Sequence, residues 1–289
     1  MAQGAHPLQD RLLDCTGPDA REGALERAAA AVRAGKVVVL PTDTVYGVGA
    51  DAFDVVAVAM VLAAKHRGRD MPPPVLVPAP STVEGLAVDV PMYARILMRQ
   101  FWPGPLTLVV RAQPSLQWDL GETNGTVALR MPDDEVALAL LSEVGPMAVT
   151  SANLTGSPAA TTGQEALEQL GGAVAVYLED GPRTGGLAST IVDCTREEPV
   201  VLRHGALSAD ELRGVLGSTV LHDAPPSPEG PVDDEPGDRA GDHADGQVDG
   251  HGEEVVGARL VGSVVPSGVT APRSAVRTLT DRAGAARTP

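Results

Sequence analysis

Residues 65–71, KHRGRDM, put Lys65, His66, Arg67 and Arg69 within five positions of a chain whose formal net charge is −16 and whose only lysines are Lys36 and Lys65. Two readings fit this cluster. Cations at the end of a helix complement its dipole. Alternatively, positive groups held this close repel one another, and an anion shared between them removes that cost. A triphosphate would serve, lysine acting as a point charge and arginine as a two-pronged donor.

Other stretches carry polar groups in places suited to binding. PTDTVYG (41–47) directly follows the apolar run KVVVL and offers hydroxyls and a carboxylate beside Gly47 and Gly49. Loops at the carboxyl ends of central strands are where α/β sheets bind ligands, although an ordinary turn has the same composition. TSANLTGSP (150–158), GLASTIVD (186–193) and VLRHG (201–205) repeat the theme with small polar residues and Arg203. TVALRMP (126–132) ends a strand on Arg130, whose charge needs a partner, either a ligand carboxylate or a structural acid. FWPGPLTLV (101–109) reads as packing, with Phe101 and Trp102 anchoring the core. The sequence contains no P-loop, GxGxxG, HExxH or GxSxG pattern.

These loops need a scaffold, and the first 217 residues supply the pattern of one. Residues 22–34 read as an alanine-rich helix stopped by Gly35, and 36–40 as a buried strand. Asp54 can cap a helix running to Ala64. Further helices are expected over 91–100 and 133–145, and capping boxes at Thr162/Glu165 and Ser208/Glu211 open two more. Strands are expected at 74–78, 106–110, 126–130, 146–151, 173–178, 189–193 and 199–203. Alternating units with nearly continuous apolar strands predict an α/β domain with a largely buried sheet.

The charge is unevenly spread. From His222 to Glu254 there are 11 acidic residues and one basic residue, Arg239, so most of the deficit lies there. That stretch is rich in Pro, Gly and Asp and poor in apolar side chains, which predicts disorder. Cys15 and Cys194 have no metal-site or disulfide-framework spacing, as suits a reducing cytoplasm. No signal peptide or membrane-spanning run is apparent. Aromatic residues make up 2% of the chain, leaving few stacking platforms for single-stranded nucleic acid.

In order, PTDTVYGVGADAF, AKHRGRDMP, FWPGPLTLV, VALRMP, SAN, ASTIVD and VLRHG resemble the YrdC-like threonylcarbamoyl-AMP synthases. The resemblance spans about residues 20–217. It divides the chain into an N-terminal extension (1–18), a catalytic domain (19–217) and a tail (218–289), a short form without a second C-terminal domain. It implies a single α/β domain, its twisted mixed sheet flanked by helices around a basic concave cavity. It also implies an enzyme making threonylcarbamoyl-AMP and pyrophosphate from L-threonine, bicarbonate (as CO2) and ATP, with Mg²⁺ held mainly by phosphates. The product would feed threonylcarbamoyladenosine formation beside the tRNA anticodon, through a downstream tRNA threonylcarbamoyl transferase. Direct tRNA binding is not required, and no membrane is involved.

Carried over by motif, the ATP ligands are Lys65, Arg67, Thr126, Ser151, Asn153 and Arg203, with the KHRGR cluster facing the phosphates. The threonine ligands are Thr42, Arg130, Val149 and Ser189. The resemblance implies no protein metal ligands, and the sequence identifies no general base. Met71-Pro72-Pro73-Pro74 and His204 depart from the family pattern. Two competing readings remain: an RNA-binding module using the basic cavity without catalysis, and a catalytically inactive domain whose acidic tail binds a partner protein.

Overall fold

The computed structural model of the chain describes residues 8–184 and 186–225. Within them the strands are β1 (Leu12–Asp14), β2 (Val38–Leu40), β3 (Gly47–Asp51), β4 (Val75–Leu76), β5 (Ala87–Val88), β6 (Leu106–Ala112), β7 (Thr126–Arg130), β8 (Met147–Ser151), β9 (Val176–Glu179), β10 (Thr190–Asp193), β11 (Val200–Arg203) and β12 (His222–Asp223). They form one sheet in the order β1-β9-β2-β3-β8-β4-β7-β6-β10-β11-β12, with β5 on β6. The sheet is mixed: β2–β9, β4–β7 and β6–β10 are parallel, while β2–β3, β3–β8 and β6–β7 are antiparallel. The helices are α1 (Pro18–Arg33), α2 (Val55–Ala64), α3 (Val83–Leu86), α4 (Met92–Phe101), α5 (Glu135–Val144), α6 (Gly163–Leu170) and α7 (Ala209–Leu216).

The period-2 alternation of a strand explains why the run after Lys36 is apolar throughout. Val38 and Leu40 join Ala28, Val32, Leu140 and Leu141 of α1 and α5 on one face. Val37 and Val39 join Ala57 and Val61 of α2 and Leu167 of α6 on the other. A third cluster, around β6, β7, α4 and α7, contains Leu97, Trp102, Leu106, Leu108, Leu129 and Leu212. The core is therefore mainly aliphatic, with Tyr46 and Tyr177 fully buried on the α2/α6 face. Trp102, as expected, is buried in the third cluster, and its indole N–H donates to Leu106 O at 2.7 Å.

Local signals set most element ends. Asp54 accepts from Val56 N and Ala57 N at the start of α2, both at 3.0 Å. Ser208 and Glu211 form the full reciprocal capping box on α7. At α6 the box is incomplete, because Thr162 accepts from Glu165 N but Glu165 reaches back to Thr161 instead. Gly35, at φ 67°, follows the C-cap of α1 as expected.

Three expectations change. Residues assigned to an N-terminal extension include β1, which pairs in parallel with β9, and α1 begins earlier, at Pro18. At the other boundary, β12 follows residue 217 and pairs with β11. PTDTVYG runs straight into β3, which the glycine-rich sequence GVGAD disguised. The glycines are there for closeness: a Cβ on Gly49 would sit 2.6 Å from Ala148 O on the neighbouring strand. From residue 226 onward, the tail expected to be disordered lies outside the described residues. Among the described residues no helix is long and apolar enough to cross a membrane.

Candidate active site

The central strands bring the polar loops together. The β2–β3 loop, β6, the end of β7, β8, the segment entering β10 and the end of β11 surround a cavity of about 130 Å³. Its wall includes Thr42, Thr44, Tyr46, Arg67, Thr107, Arg130, Val149, Thr150, Ser151, Ser189 and Arg203. Three guanidiniums and several hydroxyls thus converge on one small volume, an arrangement that suits anionic and polar ligand groups.

The KHRGR cluster does not act as one group. Lys65 caps α2 in a right-handed conformation, and His66 turns the backbone into the left-handed region at φ 55°. Successive side chains consequently diverge. The Lys65 ammonium is buried, 2% exposed, and points to the loop after β8. It donates to Asn153 O at 2.9 Å, to Asn153 Oδ1 at 2.8 Å and to Ser151 O. His66 is exposed, and Arg69 pairs with Asp119 at 2.7 Å on the surface. Of the four cations, Arg67 lines the cavity. The expectation that the whole cluster faces phosphates therefore gives way to one arginine in the wall and one lysine behind it.

Arg67 is half-buried and donates from Nη1 to Thr150 Oγ1 at 2.9 Å. Its Nε is buried without a hydrogen-bond partner among the described residues. Burial pushes its pKa below the usual arginine value, against the weaker opposing field of Asp70. A guanidinium kept in a wall at that cost is a ready donor for an anion.

Arg130 is held differently. Its Nε donates to Gly104 O at 3.1 Å, Nη1 to Thr44 Oγ1 at 3.1 Å and Nη2 to Asp43 Oδ1 at 2.5 Å. Burial lowers its pKa too, and here Asp43 opposes that shift through charge and hydrogen bond. Arg130 thus has a structural acid, one of the two partners its charge called for, and it also lines the cavity.

Ser189 and Arg203 form a second cluster. The Ser189 hydroxyl lies 2.8 Å from Thr107 Oγ1, and Arg203 donates to Ser189 O from Nη2 at 2.7 Å and from Nε at 3.2 Å. Gly205 lets these segments touch, since a Cβ there would overlap the backbone of Ala188 and Ser189. Thr42 turns inward, donating to Val45 O at 2.6 Å.

Three of the ten expected ligands lie outside the cavity wall: Lys65, which stands behind it, Thr126 and Asn153. The Thr126 hydroxyl donates to Thr123 O at 2.8 Å, outside this cavity wall. Asn153 sits behind the wall, accepting from Lys65 and donating to Leu154 O at 2.9 Å and Ser157 O at 2.6 Å. Conversely, Thr107 and Thr150 line the cavity but were not singled out in the sequence. Their signal was a hydroxyl at a buried position of an otherwise apolar strand.

The Sua5/YciO/YrdC family profile, described as "Telomere recombination", matches residues 30–205. A Mycobacterium tuberculosis protein provisionally named threonylcarbamoyl-AMP synthase is 55% identical over 71% of this chain and 94% of its own length. The threonylcarbamoyl-AMP synthase of Bacillus subtilis is 40% identical over 67% of this chain and 56% of its own length. The crystal structure of Pyrococcus abyssi Sua5 complexed with L-threonine superposes with a TM-score of 0.69 at 35% identity. It covers 73% of this chain and 62% of that one. These names denote a nucleotidyltransferase-type enzyme, and the chain is one of that type. With a matching profile over more than half its length and relatives this similar, the chain belongs to the Sua5/YciO/YrdC family.

Proposed function

We propose that the protein is an L-threonylcarbamoyladenylate synthase. It joins L-threonine, bicarbonate (as CO2) and ATP into threonylcarbamoyl-AMP, releasing pyrophosphate. The observation that carries this reading is Arg67, a half-buried guanidinium in the cavity wall that, among the described residues, has no ion pair and an unpartnered Nε. The names of the relatives and the threonine-bound Pyrococcus structure support the same assignment.

On this reading the cavity divides by chemistry. Arg130, Thr42, Ser189 and the backbone at Val149 receive threonine, whose carboxylate takes the N–H groups that Arg130 does not spend on protein. Arg67, Ser151 and Arg203 face the nucleotide. Lys65 and Asn153 act one layer back by holding the loop that carries Ser151. A cavity of about 130 Å³ is too small to enclose a nucleotide, so ATP must extend across its mouth.

Threonine's amine, as the free base, captures CO2 as a carbamate and releases one proton to solvent; the carbamate oxygen then attacks the α-phosphorus in line as pyrophosphate leaves. Such transfer depends on holding the two partners in line and on donors aimed at the developing charge. Arg67 supplies that donor, and burial strengthens it by keeping competing water away. We assign no general base. Among the described residues no cluster of three His, Cys, Asp or Glu could hold a metal ion. The wall's hydroxyls and guanidiniums suit phosphate oxygens rather than a bare cation. Mg²⁺ therefore belongs to this proposal as a companion of ATP, neutralising phosphate charge. The product passes in the cytoplasm to a downstream tRNA threonylcarbamoyl transferase, and tRNA is not needed for this step.

The test is direct. Purified protein with ATP, Mg²⁺ and bicarbonate should release pyrophosphate when L-threonine is added. Absence of threonine-dependent release overturns the assignment. RNA affinity falling steeply with salt in such an inactive protein would instead favour the nucleic-acid reading.

A further inference from the structure

The arginines of the cavity wall are not electrically equivalent. Among the described residues Arg67 has no ion pair, whereas Arg130 has an acid, Asp43, against its Nη2 at 2.5 Å. Both members of that pair are largely buried, with side-chain exposures of 7% and 13%. Asp43 Oδ1 also accepts from Asp133 N at 3.0 Å, which fixes the carboxylate between the β2–β3 loop and the segment leading to α5. Its other oxygen, Oδ2, is buried without a hydrogen-bond partner among the described residues. The neighbours on either side, Thr42 and Thr44, both line the cavity.

A guanidinium alone attracts any anion. A guanidinium tied to a carboxylate presents a dipole of near-zero net charge, which gains little from a bare anion and more from a ligand carrying both signs. We propose that Asp43 is a specificity-determining residue: by pairing with Arg130 it makes that end of the cavity select an α-amino acid as its zwitterion, leaving unpaired Arg67 to take the polyanion. The inference rests on the function proposed above and deepens it. It explains how one small cavity keeps two anionic substrates in their own ends, with Asp43 acting through Arg130 as a positioning residue.

The experiment compares two probes on the full chain by calorimetry: L-threonine and 3-hydroxybutanoate, the same molecule with hydrogen in place of the ammonium group. Wild type should prefer threonine by roughly tenfold or more, the size of one charge-assisted contact. Asp43→Asn keeps the shape and removes the charge. It should collapse that preference to within about threefold, with 3-hydroxybutanoate bound as well as before or better. Asp43→Glu should restore part of the selectivity. If Asp43→Asn weakens both probes equally, Asp43 merely braces the loop and the proposal fails. If the variant does not fold, the wild-type ratio still decides, because equal binding of the two probes overturns the idea. A wild type that binds threonine and releases pyrophosphate with it, yet keeps its preference in Asp43→Asn, sinks this inference alone. A wild type that does neither sinks the synthase assignment.

Discussion

Lys65 and Arg67 stand two residues apart, carry the same charge, and face opposite demands. The Lys65 ammonium satisfies oxygens of Ser151 and Asn153 that are otherwise enclosed. Truncating it strands buried acceptors, each costing about 1–3 kcal/mol. Lys65→Ala should therefore lower unfolding free energy by roughly 2–4 kcal/mol, visible as a clear shift of the urea midpoint. A wild-type midpoint would show that the lysine is not structural. Arg67 has the reverse signature. Its burial without a carboxylate costs the folded state, so Arg67→Met should leave the midpoint unchanged or raise it. Threonine-dependent pyrophosphate release should nevertheless fall by about two to three orders of magnitude, as for loss of a donor to transferring phosphate charge. Retained turnover would remove Arg67 from the site. A sequence shows that four cations are adjacent. It does not show that His66 adopts a left-handed backbone and sends Lys65 and Arg67 to different sides of the wall.

At the scale of elements, what could be read in advance was whatever depends on neighbours in the chain. The caps at Asp54 and Ser208 are of this kind, as is the run after Lys36, because its side chains meet cores on both faces. β3 and β12 were missed because their residues have weak strand character: β3 is the glycine-containing GVGAD, held between the adjacent β2 and the remote β8, and β12 is two polar residues paired across a helix with β11. The same gap hid the role of Gly205, which is visible only once β11 lies against the segment entering β10. A methyl group there must displace the backbone of Ala188 and Ser189. Gly205→Ala should cost about 1–3 kcal/mol by overpacking and should loosen the Arg203–Ser189 contact. Gly214→Ala on α7 meets open space and should instead stabilise by about 0.5–1 kcal/mol. Chemical denaturation of the two variants checks this pair. Equal effects from both would mean that the close approach at Gly205 does not constrain the site.

For the whole molecule, the question is how much chain the site requires. Every residue assigned to ligand contact lies between Thr42 and Arg203, and the sheet that brings them together closes its described edge with β12 at His222–Asp223. β12 is tied down by the backbone bonds His222 N to Pro199 O at 3.0 Å and Ala224 N to Val201 O at 2.9 Å. Leu221 is buried beside it. Its side-chain contacts, His222 Nε2 with Glu198 Oε2 at 2.6 Å and His204 Nε2 with Asp223 Oδ1 at 2.9 Å, are exposed and add little. A chain ending at Pro225 should therefore melt like the full protein and keep threonine-dependent pyrophosphate release. A chain ending at Gly217, the boundary suggested by sequence alone, loses the Leu221 side chain and the β11 pairing. It should be less stable by roughly 2–4 kcal/mol, mostly from Leu221 and the exposed strand edge. Because Arg203 ends β11, the shorter chain should also bind ATP more weakly than threonine relative to the full protein. Melting curves, pyrophosphate release and calorimetry on both truncations decide the matter. Loss of most activity on ending at Pro225 would make residues 226–289 part of the working enzyme.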